Sequence, residues 1–338
     1  MGIRRLAREL NLSIGTVSRA LNDQPDVKAE TRERVKTAAL KSGYVPNQSG
    51  RSLRKGTTGM VAALLPTIGP CQNSDGGMLR MLEGARRTLR ANELDLIILL
   101  RGPDEDPMAN LQRIVSRRIA DALIITRTLP FDPRLTYLSE SGVSHVTLGR
   151  SDGHAGSHWV DFDYEAATRE SVRLFVRDGH RRIALVQSGL GLSFERIIAR
   201  EFRVEAASAG LPETAIRVVE SGPGDVVGEI LSGPGDRPTA VLTSHESMAS
   251  LLYAELPARG LKIGTDITVV SMSPTIDSET LVPPLSCYDC DLDNAGAALG
   301  DRIVMLLAGK ADEATPALMP MRFVARESHL GAAHAVRA

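Results

Sequence analysis

Cysteine is scarce in this 338-residue sequence, which contains three. Three thiols cannot build a disulfide framework, so a disulfide-stapled secreted scaffold is excluded and a reducing compartment is expected. Long apolar runs are also lacking, since no stretch approaches the ~18 consecutive apolar residues of a membrane-spanning helix. The N-terminus has charge but no apolar segment before a small-residue cleavage site, so we predict no secretory signal, no membrane partner and a cytoplasmic location.

Motifs of the common enzyme classes are missing as well. The sequence has no phosphate-binding loop, no G-x-S-x-G motif and no H-E-x-x-H motif, which weakens an enzymatic interpretation. Cys287 and Cys290 have the spacing of a redox or metal pair, but there is no second cysteine pair and no neighbouring His. We therefore predict no catalytic residue, no metal site and no cofactor.

The charge is unevenly distributed along a chain whose net charge is -1. Residues 1–60 carry 12 Lys and Arg against 5 Asp and Glu, whereas the remaining residues carry 28 against 36. A basic segment of this size can be a solvated surface or a tail, but such asymmetry also indicates attraction to nucleic acid phosphates. Charge alone leaves these alternatives open.

Hydrophobic periodicity predicts three short helices in the basic segment. The run IRRLAREL (3–10) places its apolar residues at i, i+3, i+4 and i+7, on one face of a helix. Ser13 is a plausible N-cap for a second helix over 14–21, and a third is predicted over 29–42, ending at Gly43. Two short helices across a tight turn indicate a helix-turn-helix. A three-helix bundle that binds no nucleic acid is the alternative.

The predicted outward face of the second helix carries small, hydrogen-bonding groups beside one arginine. Its members are Ile14, Gly15, Thr16, Ser18 and Arg19. A merely solvated helix usually carries long Glu and Lys pairs, whereas these residues could reach base edges in a major groove. Arg19 can make a bidentate contact to guanine, and the pattern favours DNA binding.

Four segments together resemble the LacI/GalR family of bacterial transcriptional regulators. They are LARELNLSIGTVSRALN (6–22), VKAETRERV (27–35), GYVPN (43–47) and RSLRKG (51–56). The resemblance implies an N-terminal all-α helix-turn-helix domain plus hinge helix, followed by an α/β two-lobed periplasmic-binding-protein-like effector domain. The DNA-contacting residues that it implies are Ser13, Ile14, Gly15, Thr16, Ser18, Arg19, Asn47, Arg51, Leu53 and Arg54.

Residues 46–58 resemble the hinge of the family, a short helix that folds on DNA. The resemblance implies that Leu53 enters the minor groove while Arg51 and Arg54 hold the adjoining phosphates. The family usually has alanine where this chain has Gly50, and glycine costs a helix interior ~1 kcal/mol. We therefore expect the free hinge to be especially disordered and to order only on DNA. A plain flexible linker is the alternative.

From Met60 onward, short apolar strands alternate with helical segments, a pattern typical of a doubly wound parallel sheet. The pattern repeats after about 160 residues, which suggests two similar lobes with a cleft between them. The resemblance continues through GHRRIALV (179–186), RPTAVLTS (237–244) and PPLSCY (283–288). The predicted domains are 1–45 for helix-turn-helix, 46–58 for hinge, 59–325 for effector binding and dimerisation, and 326–338 for a tail without leucine heptads.

The resemblance also implies a small effector, often a sugar, held between the lobes. Arg196 matches the arginine that clamps sugar hydroxyls, and Asp163 matches the aspartate of the crossover segment. Trp159 could stack on a pyranose ring or belong to the core. The effector-binding candidates are Thr67, Asp75, Thr126, Arg150, Trp159, Asp163, Arg196, His245, Glu246 and Ser273.

Two departures from the family bear on the identity of the effector. His245 and Glu246 stand where sugar-responsive members have an Asn-Asp pair, and Ser273 with Pro274 stands where they have an aspartate. The long loop 67–77, the Gly-Arg pair at 149–150 and the WVD segment (159–161) are similar to those of the branch that regulates the uptake of α-glucosides and other disaccharides. A disaccharide or a related polyol is therefore the leading candidate.

We accordingly predict a sequence-specific repressor that binds double-stranded operator DNA as a homodimer, because dimer symmetry matches operator symmetry. The effector would change lobe closure and so the ordering of the paired hinges. The alternatives are a regulator of the purine type, which needs a co-repressor, and a cytosolic sugar-binding protein that does not act on DNA.

Overall fold

The computed structural model describes residues 2–21, 23–44, 56–66, 76–102, 104–153, 158–220, 225–232, 237–273 and 278–330. The chain divides into two compact units, residues 1–58 and 59–338. Within the described residues, no helix combines the length and the apolar character needed to cross a lipid bilayer.

The first unit is a bundle of three helices, α1 (Ile3–Leu10), α2 (Ile14–Leu21) and α3 (Ala29–Lys41). Its core contains Leu6, Val17 and Val35, one fully buried side chain from each helix. The apolar periodicity of the segment therefore places its helices and their inner faces correctly.

Ser18 is an exception to the predicted outward face of α2. Its side chain is buried, with 7% of the residue exposed. Because α2 packs against both α1 and α3, its buried face is wide and includes Ser18 beside Val17 and Ala20. The prediction that Ser18 faces outward is wrong, and Ser18 belongs to the core of the bundle.

The second unit contains two six-stranded sheets, each the centre of one lobe. The sheet of lobe 1 has the order β11-β5-β4-β3-β1-β2, and every pair in it is parallel. Its strands are β1 (Met60–Pro66), β2 (Asp95–Arg101), β3 (Ala122–Ile125), β4 (Ser144–Leu148), β5 (Trp159–Phe162) and β11 (Ala317–Met319).

The sheet of lobe 2 has the order β12-β10-β9-β8-β6-β7, and its only antiparallel pair within the described residues is β10 with the edge strand β12. Its strands are β6 (Ile183–Gln187), β7 (Ile216–Glu220), β8 (Ala240–Thr243), β9 (Thr268–Ser271), β10 (Ser286–Cys290) and β12 (Met321–Val324). The inner strands are apolar on both faces, as expected for parallel strands covered by helices on both sides.

Helices cover both faces of each sheet. They are α4 (Gly76–Ala91), α5 (Pro107–Ser116), α6 (Pro133–Glu140), α7 (Tyr164–Arg177), α8 (Ser193–Ser208), α9 (Val226–Leu231), α10 (Glu246–Ala258) and α11 (Leu292–Leu307). The chain passes between the lobes after β5, after β10 and after β11. As a result α7 packs in lobe 2, and α11 returns to lobe 1.

Helices α4 and α11 approach each other closely, because glycines lie at their contact. A Cβ atom on Gly296 would overlap the backbone of Met81, and one on Gly84 would overlap the backbone of Asp293. Asp293 also pairs with Arg80 at 2.8 Å. This contact ties the returning helix α11 to lobe 1.

Residues 326–330 pack into lobe 2, although the sequence assigned them to the tail. Ser328 donates from Oγ to the carbonyl of Val269 at 2.6 Å, and Nδ1 of His329 lies 2.8 Å from Oγ of Ser286. The folded effector unit therefore continues through Leu330.

Candidate functional site

The outward face of α2 combines an exposed apolar residue, a glycine and two polar residues. We call Ile14, Gly15, Thr16 and Arg19 the recognition face; Ile14 is 46% exposed and Arg19 is likewise exposed. Ser13 precedes it and accepts a hydrogen bond at Oγ from the backbone N–H of Thr16 at 3.0 Å. The predicted cap is present, and it fixes the first turn of α2.

Several predicted site residues lie outside the described residues. They are the hinge residues Asn47, Arg51, Leu53 and Arg54 and the loop residues Thr67 and Asp75. Their roles remain predictions.

A cavity of about 770 Å³ lies between the two lobes, close to the carboxyl ends of their strands. This is where ligands bind in open α/β sheets, and the volume is in the range of small-molecule sites. Lobe 1 contributes polar groups that include Arg127, Thr128 and Asp161. Lobe 2 contributes Ser188, Ser244, His245, Glu246 and Ser273.

His245, Glu246 and Ser273 were predicted from the sequence, and the structure places them together in this cavity wall. Ser273 donates from Oγ to Oε2 of Glu246 at 2.8 Å and accepts from the backbone N–H of Glu246 at 3.1 Å. The Glu246 side chain is 10% exposed. Among the described residues, none donates a hydrogen bond to its other oxygen, Oε1. A ligand hydroxyl can therefore bind there.

His245 is the N-cap of α10. Its Nδ1 accepts from the backbone N–H of Ser247 at 3.4 Å, which assigns the ring proton of the neutral form to Nε2. Nε2 lies 3.5 Å from Oε2 of Glu246. The imidazole thus presents a donor edge beside the carboxylate.

Aromatic rings form an apolar part of the cavity wall that the sequence did not predict. Tyr164 stacks on Phe194 with ring centroids 5.3 Å apart and an angle of 28° between the planes. Phe162 meets Tyr164 edge-on at 6.1 Å. Burial raises the pKa of Tyr164 well above its ordinary value, so the hydroxyl keeps its proton. Phe162 ends β5, Tyr164 begins α7 and Phe194 is the second residue of α8, and these positions at the ends of elements are the signal that could have identified them.

Arg150 and Trp159 lie outside the cavity wall. Arg150 donates to Asp161 at 2.7 Å and to Glu165 at 2.9 Å, and its guanidinium lies 5.6 Å from the centroid of Trp159. Burial lowers the pKa of Arg150, but the bonds to Glu165 and Asp161 outweigh it and raise the pKa. In this structure Trp159 therefore packs on a cation instead of facing a sugar ring.

Asp161 is the member of this ion-pair cluster that reaches the cavity. Burial raises the pKa of Asp161, although the charge and hydrogen bond of Arg150 oppose that shift. Its Oδ1 accepts from the backbone N–H of Phe162 at 2.9 Å.

Asp163 and Thr126 also lie outside the cavity wall, because both side chains hold local structure. Asp163 caps α7, accepting at Oδ1 from the backbone N–H of Ala166 at 2.9 Å. Thr126 donates from Oγ1 to the carbonyl of Leu64 at 3.2 Å. Neither side chain is presented to a ligand in this structure.

Arg196 joins the lobes at the rim and is not part of the cavity wall. Its guanidinium pairs with Asp152 of lobe 1 and lies 6.0 Å from the centroid of Phe131. Nearby, the backbone N–H of Ser193 donates to the carbonyl of Thr128 at 2.9 Å. We call these five residues the interlobe clasp. The predicted sugar clamp therefore contacts the opposite lobe in this structure.

Cys287 and Cys290 are free thiols in the cavity wall. Burial raises the pKa of both thiols, that of Cys290 to about 12. Both therefore stay protonated, and Sγ of Cys287 accepts a hydrogen bond from Arg326 at 3.3 Å. In the part of the chain that the structure describes, no three His, Cys, Asp or Glu side chains are grouped to hold a metal ion.

Residues 3–47 match the bacterial regulatory proteins of the lacI family, and residues 172–329 match a periplasmic binding protein-like domain. The chain is 31% identical over 338 residues to the HTH-type transcriptional regulator AglR of Rhizobium meliloti (strain 1021), covering 97% of this chain and 94% of that protein.

Solved structures share the whole fold. The lac repressor dimer bound to operator and the anti-inducer ONPF has a TM-score of 0.82 at 22% identity, covering 98% of this chain and 99% of that one. A complex of the transcriptional regulator CelR with cellobiose has a TM-score of 0.71 at 22% identity, covering 97% and 99%. The fold and the full-length match agree, and the chain belongs to the lacI family of bacterial regulatory proteins, as a DNA-binding transcriptional regulator and not an enzyme.

Proposed function

We propose that this repressor is controlled by a neutral disaccharide bound in the cavity between its lobes. The observation that carries the proposal is the pairing of the Glu246 carboxylate with the Ser273 hydroxyl in a cavity whose wall also has an apolar aromatic surface. The carboxylate accepts hydrogen bonds from sugar hydroxyls at Oε1, and the stacked rings of Tyr164 and Phe194 suit the apolar face of a pyranose.

The charges around the cavity favour an uncharged ligand. Three cationic groups of the wall already have acidic partners, in the pairs Arg80–Asp293, Arg322–Asp289 and Arg326–Glu279. An anionic ligand beside Glu246 would be repelled by the carboxylate. A neutral ligand with many hydroxyl groups avoids this repulsion and can donate hydrogen bonds to Glu246.

Ligands and names of related regulators agree with this class. CelR was solved with cellobiose, a disaccharide, and the lactose operon repressor of Escherichia coli (strain K12) is 26% identical over 344 residues, covering 96% of this chain. The cavity volume of about 770 Å³ accommodates two sugar rings.

On the DNA side, we propose that Ile14, Thr16 and Arg19 of the recognition face reach base edges in the major groove. Ser18 is excluded, because it is buried. We assign residues 1–45 to the DNA-binding domain and 46–58 to the hinge, with Leu53 as the residue that enters the minor groove. The repressor acts on nucleoid DNA in the cytoplasm.

A second copy of the chain completes the operator-binding unit. Large apolar side chains are exposed on α4 and on the edge strand β2, among them Leu79, Ile98 and Leu100. Exposed apolar patches of this kind mark interaction surfaces, and a homodimer would cover them.

Effector binding can reach the hinge through lobe 1. The backbone N–H of Gly59 donates to Oδ2 of Asp121 at 2.7 Å, which fixes the chain where it enters β1. A rotation of lobe 1 on closure would therefore move the segment that precedes β1. Coupling of two sites in this way is typically worth ~1–3 kcal/mol.

The test combines ligand binding with operator release. A duplex operator is first selected from a randomised library with the purified repressor, and thermal shifts are then recorded with maltose, sucrose, trehalose and cellobiose. We expect at least one of them to raise the melting temperature and to weaken operator binding. Failure of all four sugars to raise the melting temperature would contradict the neutral-disaccharide assignment.

A further inference from the structure

Arg19 is the one cationic residue of α2, and an acidic residue lies beside it. Its Nη1 is 3.4 Å from Oδ2 of Asp26, which belongs to the segment between α2 and α3. Both side chains are 55% exposed, so neither is held by the core of the bundle. The two side chains form their own contact at the surface that carries the recognition face.

A carboxylate at this position opposes the charge of the module. Residues 1–60 carry 12 Lys and Arg against 5 Asp and Glu, and DNA phosphates are attracted to that excess. Asp26 weakens this attraction wherever it lies near DNA. We therefore expect the contact of Asp26 with Arg19 to favour DNA recognition in a way that offsets this weaker attraction.

The contact has a geometry that suits base recognition. With Nη1 turned towards Asp26, the edge formed by Nε and Nη2 remains available for two parallel hydrogen bonds, the arrangement that reads O6 and N7 of guanine. A Cβ atom built on Gly15 would lie 3.9 Å from Nη2 of Arg19, an ordinary van der Waals distance, so the guanidinium lies next to Gly15. The guanidinium thus lies over a residue without a side chain.

We propose that Asp26 is a positioning residue that orients the guanidinium of Arg19 and thereby sets base-pair specificity. The proposal rests on the proposed role of Arg19 in the major groove. Exposed ion pairs are weak in water, but the pair strengthens when DNA displaces the surrounding solvent. An oriented guanidinium also loses less freedom when it binds.

The experiment measures base preference with the full-length repressor and a duplex library randomised at every operator position. The variants are Arg19→Lys, Asp26→Asn, Asp26→Glu and the control Asp23→Asn. Asp23 loses the same charge in the same module, but its carboxylate pairs with Lys36 at 2.7 Å and with Arg32 at 3.8 Å. Melting temperatures confirm that each variant folds.

We expect Asp26→Asn to relax discrimination at the base pair where Arg19→Lys relaxes it, by about 3- to 10-fold, a part of what a bidentate arginine contact supplies. Asp26→Glu restores most of the discrimination. Asp23→Asn strengthens binding to all sequences alike. Combined with Arg19→Lys, Asp26→Asn adds no further change in preference, because the carboxylate acts through the arginine.

Three outcomes would overturn the proposal. If Asp26→Asn strengthens binding to all sequences equally, as the control does, the carboxylate acts only as a charge. If it changes preference at another base pair, Asp26 contacts the DNA itself. If Arg19→Lys changes no base preference, the proposed role of Arg19 is wrong, and the positioning role of Asp26 is wrong with it. The first two outcomes, by contrast, leave the proposed contact of Arg19 with a base in place.

Discussion

Oγ of Ser273 donates to Oε2 of Glu246 at 2.8 Å, so that a serine two residues after β9 holds the carboxylate at the start of α10. In the resemblance described above, Glu246 stands at the aspartate of an Asn-Asp pair and Ser273 stands at a second aspartate, so one carboxylate is kept and the other is replaced by a hydroxyl. The acceptor that a sugar hydroxyl needs is therefore still present, on Glu246.

The first prediction concerns this carboxylate. Glu246→Gln keeps the size of the side chain but removes the charge that strengthens hydrogen bonds from ligand hydroxyls, so we expect effector affinity to fall by about 10-fold. Operator binding without effector should not change. Calorimetric titration with the disaccharide identified by thermal shift measures the loss.

Glu255→Gln is the matched control, because Glu255 lies on the same helix and pairs with the exposed Arg259 at 3.3 Å. Its effector affinity should equal that of the unmodified protein. Equal losses in both variants would rule out a direct ligand contact for Glu246.

The second prediction concerns the interlobe clasp. Because Arg196 pairs with Asp152 and lies outside the cavity wall, Arg196→Ala and Asp152→Asn should change effector affinity by similar factors, at most about 5-fold. The double variant should lose no more than either single variant. Calorimetric titration of the three variants tests this. A much larger loss in Arg196→Ala alone would establish Arg196 as a sugar clamp.

The third prediction concerns the contact of α4 with α11. In Gly296→Ala the added Cβ would overlap the backbone of Met81, so we expect the free energy of unfolding to fall by about 1–3 kcal/mol, although alanine favours helix. Gly77→Ala is the control, since its Cβ would meet only Leu292 Cδ1 at 3.4 Å. Urea denaturation of both variants gives the comparison. An unchanged midpoint for Gly296→Ala would contradict the close approach.

The fourth prediction concerns acid stability. Burial lowers the pKa of His180 to about 4, and its Nδ1 lies 2.8 Å from Oγ1 of Thr239. Since the unfolded chain binds the proton near pH 6.5 and the folded chain near 4, this contribution is complete above pH 6.5 and is lost as the pH falls towards 4. The loss amounts to at most about 3 kcal/mol.

His180→Asn removes the titration while keeping a polar partner for Thr239. Between pH 7 and pH 5, the unfolding free energy of this variant should decline less than that of the unmodified protein. Parallel curves for the two proteins would exclude His180 as the source of the pH dependence.

The sequence predicts the DNA-binding unit well, because its three helices depend on local patterns. The apolar spacing of residues 3–10 and the cap at Ser13 place α1 and α2 within their observed bounds. Ser18 was assigned wrongly, since the width of a buried face depends on how many neighbours the helix contacts. Helix α11 was not predicted. Its glycines do not favour a helix, and they are explained only by the close approach of α4, which is distant in sequence.

Only some residues of the effector cavity could be predicted, because the others are brought together by contacts between distant parts of the chain. His245, Glu246 and Ser273 follow strands, and the carboxyl ends of parallel strands meet at one edge, so their position could be predicted. That Arg150 and Trp159 lie outside the cavity wall could not be predicted, because the sequence does not show which acidic residues surround Arg150 in the folded protein. Tyr164 and Phe194 begin helices that meet only after the chain has crossed between lobes.

The three crossings of the chain also determine the order in which the protein can fold during synthesis. The helices of the DNA-binding unit are contiguous and need nothing that follows them. Each lobe, by contrast, is closed by a strand from the end of the chain, β11 against β5 and β12 against β10. The ribosome therefore releases a finished DNA-binding unit well before either lobe can acquire its last strand, and the effector site is the last part of the repressor to form.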